Sequence, residues 1–194
     1  DSMRTDFDPA EMGGRSFYRL LTSVVVPRPI AWVSTVSPDG VENLAPHSFF
    51  TIASVNPPVV SFTSVGEKDS LRNIRETGEF VISLAPEDMF EAVNATGTGF
   101  AADVSEFDAA GIAREASGTV RPPRVAGSPV ALECRLHEIH PVGDCFVVYG
   151  EITRAAISTE TLDGDSHPRI EALRPLSRLG LNEWGTIGEV REIT

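Results

Sequence analysis

The sequence predicts a mainly β fold closed into a small barrel. Three observations lead there. β-rich segments follow one another at short intervals, turns containing Pro and Gly separate them, and helical patterns are few and short.

Residues 30–36 form the first β-rich run. In the turn Ser37-Pro38-Asp39-Gly40 the proline sets one φ and the glycine permits a positive one, predicting a hairpin into a strand from Val41. Pro46 has no N–H for a central ladder, so the chain around it is expected to bend out of the sheet. After Asn56-Pro57-Pro58, residues 59–65 read as a strand with one apolar side and one side of hydroxyls. Asp69 is a candidate cap for a helix over 70–77, with Leu71 and Ile74 on one face and Gly78 as its left-handed terminator. A strand over 79–84 follows, then a helix from Pro86 through Met89, Phe90 and Val93. The stretch from Thr96 to Arg124 is rich in Gly, Ala and Pro, with a short helical candidate at 105–110, and reads as an excursion from the sheet. Val130, Leu132, Cys134 and Leu136 then alternate with Ala131, Glu133, Arg135 and His137 before the apolar phase slips to Ile139, as a β-bulge produces. Val142-Gly143-Asp144 turns the chain into a last strand over 145–157.

With 194 residues, 41% of them hydrophobic, the chain has enough for one core, and no repeat or linker divides it. No apolar run approaches the roughly 20 residues of a membrane span. The N-terminal residues lack a basic region followed by an apolar one, so a cytoplasmic location is expected. Cys134 and Cys145 have no zinc-ligand spacing around them and read as reduced thiols. A net charge of −12 argues against nucleic-acid or anionic-membrane partners. Any phosphate-bearing ligand needs a local site that overcomes that charge.

One such site is the turn Ser64-Val65-Gly66-Glu67-Lys68-Asp69-Ser70, which joins a strand to a helix N-terminus. There unpaired N–H groups favour an anion, Lys68 adds a charge, and Ser64 and Ser70 add hydroxyls. The same residues also suit an ordinary solvated turn. The segment Asn43-Leu44-Ala45-Pro46-His47-Ser48-Phe49-Phe50 sets amide, imidazole and hydroxyl groups among apolar ones, which suits a flat heteroaromatic ring with hydrogen-bonding edges. It equally suits a strand with a polar edge. No arrangement of nucleophile and base stands out, which leaves the chemistry to a bound cofactor.

Taken together, these segments resemble the flavin reductase-like family of FMN-binding split barrels, the class of flavoredoxins and the small reductases of two-component monooxygenases. The motifs are Asn43-x-Ala45-Pro46-x-Ser48-Phe49-Phe50, Asn56-Pro57-Pro58, Gly66-Glu67-Lys68-Asp69-Ser70-Leu71-Arg72-Asn73-Ile74 and Gly150-Glu151-Ile152. The resemblance runs from Arg28 to Trp184. It implies one domain over 1–194 with extended N- and C-terminal tails, built on a six-stranded Greek-key barrel that forms a homodimer with FMN near the interface. Carried over residue by residue, it implies that Asn43, Ala45, Pro46, His47, Ser48 and Phe49 edge the isoalloxazine. Thr63, Ser64, Gly66, Lys68 and Ser70 would hold ribityl and phosphate. Arg28 would be a further phosphate ligand or a rigid strand entry, and Trp184 a cleft residue or a plug for the C-terminal tail. No catalytic residue beyond the flavin is expected, with His47 as an orienting group. FMN is expected rather than FAD, because the cradle accounts for one phosphate. NAD(P)H is the expected cosubstrate, and an oxygenase or electron-transfer protein the expected partner. The chain departs from the pattern at Cys145, where several relatives carry a histidine that contacts nicotinamide.

Overall fold

The computed structural model describes residues 3–194. Two helices, α1 (Pro9–Met12) and α2 (Gly14–Val24), precede a short strand β1 (Arg28–Pro29). The main sheet then begins with β2 (Ala31–Val36), β3 (Glu42–His47), β4 (Phe50–Ser54) and β5 (Val59–Val65). Helix α3 (Asp69–Thr77) leads into β6 (Glu79–Leu84). Helix α4 (Phe90–Thr96) follows, and the excursion after it holds α5 (Glu106–Ala109), β7 (Arg114–Glu115) and β8 (Arg124–Val125). The long hairpin β9 (Val130–Val142) and β10 (Cys145–Ile157) is followed by α6 (Ile170–Leu173), β11 (Ser177–Arg178) and β12 (Trp184–Gly185).

The main sheet has seven strands in the order β3-β2-β6-β9-β10-β5-β4, one more than the six implied by resemblance. Its pairings are antiparallel throughout. Its two outermost strands are consecutive in the chain, since only Ser48 and Phe49 separate β3 from β4. Seven strands laid flat would put those edges roughly 29 Å apart at about 4.8 Å per step. A two-residue link reaches only about 10 Å. The sheet is therefore rolled, and its edges meet at a seam bridged by Ser48-Phe49, where the Thr63 N–H donates to the Phe49 carbonyl at 2.9 Å.

Inside the roll, Ala31, Val33, Val60, Phe62, Phe80, Ile82, Cys134 and Val148 form the core, and Leu71 and Ile74 of α3 pack into it. At Gly150 a Cβ would collide with the Phe80 ring, so that position in β10 is glycine because a side chain has no room. A second core covers the outer face of β2 and β3, where Trp32 and Leu44 pack with Val93 of α4 and with Phe107, Ile112 and Val125 of the excursion. With both faces covered, β2 is buried along its whole length.

The expected bulge is present: Tyr149 pairs with Glu138 and Gly150 with Leu136, leaving His137 as the extra residue. Two local expectations are corrected. Pro46 does not leave the sheet but pairs with Trp32 inside β3, which tolerates it because β3 is an edge strand with no second neighbour needing that N–H. Asp69 lies inside α3, whose N-cap position is Lys68, and its carboxylate pairs with Arg72 at 3.0 Å instead of capping.

The excursion is pinned to the barrel by Glu133 of β9, whose side chain is fully buried. Its carboxylate accepts from the Gly118 and Thr119 N–H groups, the Thr119 hydroxyl, and both Nε and Nη2 of Arg124 at 2.9 and 2.6 Å. Burial alone would raise its pKa. The donors from Thr119, Gly118 and Arg124 outweigh that and hold the acid at about 2. Among the described residues, no helix is long and apolar enough to cross a membrane, and no group of three or more His, Cys, Asp or Glu side chains is placed to hold a metal ion.

Candidate functional site

A cleft lies over the seam. One part, of about 320 Å³, is bordered by β3 (Asn43, Ala45, Pro46, His47), by the turn entering α3 (Glu67 to Ser70) and by Thr96 to Phe100 after α4. It runs into a second part of about 400 Å³ lined by Tyr18, Ser48, Asn94, Arg178 and Trp184. Pro46, Lys68, Gly97 and Thr98 belong to both parts. Each volume is in the range of small-molecule sites, about 300–1,000 Å³. In the second part Lys68 and Arg178 are the charged lining residues, a cationic concavity in a chain of net charge −12.

The turn before α3 owes its shape to Gly66, at φ 84°, and to Ser64, whose hydroxyl donates to the Gly66 carbonyl at 2.8 Å. No side chain caps the nine-residue helix α3, so its first N–H groups and the positive end of its dipole are available beside Lys68. This donor set suits a phosphate monoester.

His47 is buried and its Nδ1 has no hydrogen-bond partner. Burial, and then the Lys68 charge, push its pKa down to about 4, so the ring is neutral at pH 7. It stands 4.6 Å from the Phe62 ring, centroid to centroid. Next to it in the cleft, Glu106 of α5 is 5% exposed and accepts from the Leu44 N–H at 3.1 Å. Burial raises the pKa of this carboxyl. Asn43 lies between Glu106 and Ser70, close to both.

The opposite wall, Thr96 to Phe100, is fixed by the Trp32 indole, which donates to the Thr96 hydroxyl at 2.9 Å across the outer core. Gly97 packs against Pro46 closely enough that an added Cβ would stand 3.3 Å from its Cγ.

Thus Asn43, Ala45, Pro46, His47, Ser48, Lys68, Ser70 and Trp184 of the expected set line one cleft. Trp184 is held edge-on by Phe90 at 5.1 Å and lies under the Arg178 guanidinium at 4.8 Å. The others are placed elsewhere. Phe49 lines a separate apolar groove with Leu21, Val25, Pro27 and Phe50. Thr63 extends the β4–β5 ladder by one rung to the Phe49 carbonyl, and Ser64 with Gly66 builds the turn. Arg28 is 8% exposed; its guanidinium donates to the carbonyls of Thr22, Val25 and Leu179, and its Nε to the Ser48 hydroxyl at 3.4 Å. Burial, and then the charge of Arg178, lower its pKa. Cys145 starts β10 half-buried opposite Val65, with its thiol 3.3 Å from Asp144. His140 is exposed at 59% on the surface of β9. Glu106, Arg178 and the 96–100 wall are not signalled by any local motif. The one sequence clue was Thr96-Gly97-Thr98-Gly99, small residues that let a wall approach β3.

Comparison with known proteins gives concordant results. The family described as "Flavin reductase like domain" matches residues 23–171. An uncharacterized protein of Aquifex aeolicus is 38% identical over 90% of this chain and 92% of its own length. The crystal structure of nitrilotriacetate monooxygenase component B from Bacillus cereus superposes with a TM-score of 0.93 at 30% identity, covering 100% of both chains. That of the 2-nitrobenzoate 2-nitroreductase NbaA from Pseudomonas fluorescens gives 0.91 at 30% identity, covering 98% of this chain and 95% of the other.

Proposed function

The chain belongs to the flavin reductase like domain family, and from that premise we propose that it binds FMN in the seam cleft and works as an NAD(P)H-dependent flavin oxidoreductase. The observation that carries the reading is the position of Lys68. It borders both parts of the cleft at an uncapped helix N-terminus, where one phosphate finds its charge and its N–H donors. A single such cradle favours FMN over FAD.

When bound, FMN would supply the redox chemistry, taking hydride from the nicotinamide and passing electrons on to free flavin, oxygen or a protein partner. The chain's own residues bind and orient. Asn43, Ala45, Pro46, His47 and Ser48 edge the ring, neutral His47 contributes no positive charge there, and Lys68 anchors the phosphate. Trp184 and Arg178 close the far end, where a second, anionic molecule would enter. A homodimer belongs to the same proposal, supported by α2, which has no buried residue and exposes Tyr18, Leu21 and Val24. A cytoplasmic setting belongs to it too. The test is anaerobic mixing of the FMN-loaded protein with NADH and with NADPH, followed at the flavin absorbance. Absence of bleaching with both would refute the hydride step.

Cys145 favours a second reading, an FMN-binding electron carrier of the flavoredoxin kind, because this half-buried thiol takes the sequence position at which the resemblance implies a nicotinamide-contacting histidine. It predicts bound FMN that a ferredoxin-like donor reduces and NAD(P)H does not. Fast stoichiometric reduction by NAD(P)H would eliminate it.

A further inference from the structure

The cleft contains a polar chain that ends in Glu106, a buried carboxyl to which the proposed chemistry gives no role. Glu106, Asn43 and Ser70 are 5%, 6% and 1% exposed, and all three border the first part of the cleft. Their heavy atoms permit two hydrogen-bond patterns without moving. With the Asn43 amide nitrogen toward Glu106, it donates to Oε1 at 3.0 Å and Oε2 at 2.7 Å, and its oxygen accepts from the Ser70 hydroxyl at 2.9 Å. With the amide turned over, its nitrogen donates to Ser70 Oγ at 2.9 Å and its oxygen faces the carboxyl group.

The charge on Glu106 selects between them. A carboxylate only accepts, so it requires the first pattern, in which the one proton of Ser70 is spent on Asn43 and the hydroxyl shows the cleft only lone pairs. A protonated carboxyl donates to the Asn43 oxygen and selects the second, in which Ser70 is free to donate to a phosphate oxygen. The Leu44 N–H, 3.1 Å from Oε1, is served in both.

We propose that Glu106 is a positioning residue for the anion end of the cleft, its proton setting, through the Asn43 amide, whether Ser70 meets a ligand as acceptor or as donor. The inference rests on FMN binding in this cleft. It makes phosphate binding and proton uptake by Glu106 a single linked event. The other charges around Glu106 are accounted for on each packed element. Asp69 and Lys68 stand at the start of α3, with Asp69 paired to Arg72. On β3, His47 is neutral at pH 7 and Glu42 is paired with Arg114 at 3.3 Å. On α5 itself, Asp108 is paired with the same Arg114 at 3.0 Å.

The test is a cycle of FMN and riboflavin affinities, by fluorescence quenching, for the wild type, Glu106→Gln, Ser70→Ala and the double variant at pH 8.5. Glutamine donates permanently to Asn43, so Glu106→Gln should bind FMN about tenfold tighter than wild type, the worth of one charge-assisted hydrogen bond. That gain should vanish in the Ser70→Ala background and be absent for riboflavin. Calorimetry in buffers of different ionisation enthalpy adds a readout needing no Glu106 variant: the wild type should take up more protons on binding FMN than Ser70→Ala. A gain that survives loss of the Ser70 hydroxyl would mean simple removal of a repulsive charge and would overturn the proposal, as would equal proton uptake. If FMN binds and these differences are missing, this inference alone falls. If the wild type binds neither flavin, the functional reading falls with it.

Discussion

Replacing Glu133 by Gln removes one charge from the buried clamp between β9 and the excursion and leaves the side-chain shape nearly unchanged. The magnitude follows from the acid's own titration. Its pKa lies near 4.5 when unfolded and at about 2 in the folded chain, and that difference at 1.36 kcal/mol per unit gives about 3 kcal/mol. Because the folded value is the lower one, this stabilisation is fully present above pH 4.5 and is lost as the pH falls toward 2. The variant also turns an amide N–H₂ toward the donors of Gly118, Thr119 and Arg124, and leaves Arg124 with Glu115 at 3.1 Å as its remaining partner. The expected loss at pH 7 is therefore about 3–5 kcal/mol. The assay is urea unfolding of both proteins at pH 7, 4 and 3, followed by the fluorescence of the two tryptophans, of which Trp32 is fully buried. The gap between the curves should narrow as the pH falls. A gap that stays constant down to pH 3, or stays under about 1 kcal/mol at pH 7, refutes the assignment of Glu133 as an ionised clamp.

Three further outcomes are expected. Lys68→Ala should weaken FMN binding roughly 10- to 100-fold, the worth of a hydrogen bond to a charged group, with riboflavin affinity nearly unchanged; equal losses for both flavins in a fluorescence titration would misplace the phosphate. Arg28→Lys should lower stability by about 1.5–3 kcal/mol, because an ammonium cannot reach the carbonyls of Thr22, Val25 and Leu179 together. Its FMN affinity should stay at the wild-type level, and a selective loss of FMN over riboflavin would return Arg28 to the cofactor site. Gly150→Ala should cost about 1–3 kcal/mol through collision with Phe80, read as a drop in the denaturation midpoint; an unchanged midpoint would show that the ring can move aside.

What the sequence makes legible is whatever depends on neighbours in the chain. The strand at Glu79–Leu84, the αL glycine at Gly78, the phase slip that became the His137 bulge and the turn at Gly143 are all set by residues within a few positions of one another. Pro46 misleads because the proline rule depends on whether a strand has one neighbour or two, and that is a property of the whole sheet. Asp69 misleads by a single residue, enough to turn a cap into an ion-pair partner. In the cleft, the β3 segment and the α3 turn are recognisable as motifs, yet what their side chains do is decided over long separations. Glu106 meets Leu44 across 62 positions, and Arg28 meets Leu179 across 151. Helix α2 carries apolar residues at helical spacing but leaves Tyr18, Leu21 and Val24 exposed, and it is tied to the body of the fold by Arg28, which donates to the Thr22 and Val25 carbonyls.

The seam has a further consequence for motion. Along the body of the roll each strand is held by ladders on both sides, whereas β3 and β4 each have one paired neighbour, so the roll opens most readily along this line. Asn43 belongs to one border, and Lys68 and Ser70 follow β5, the neighbour of the other; the Asn43–Ser70 hydrogen bond at 2.9 Å already spans the two. A molecule touching all three acts as a clasp across the opening. It adds about 2.7 kcal/mol to the closed form when present at a hundred times its dissociation constant. Amide hydrogens of Asn43 to Phe50 should then exchange more slowly in the loaded protein, while those of the β9–β10 hairpin change little.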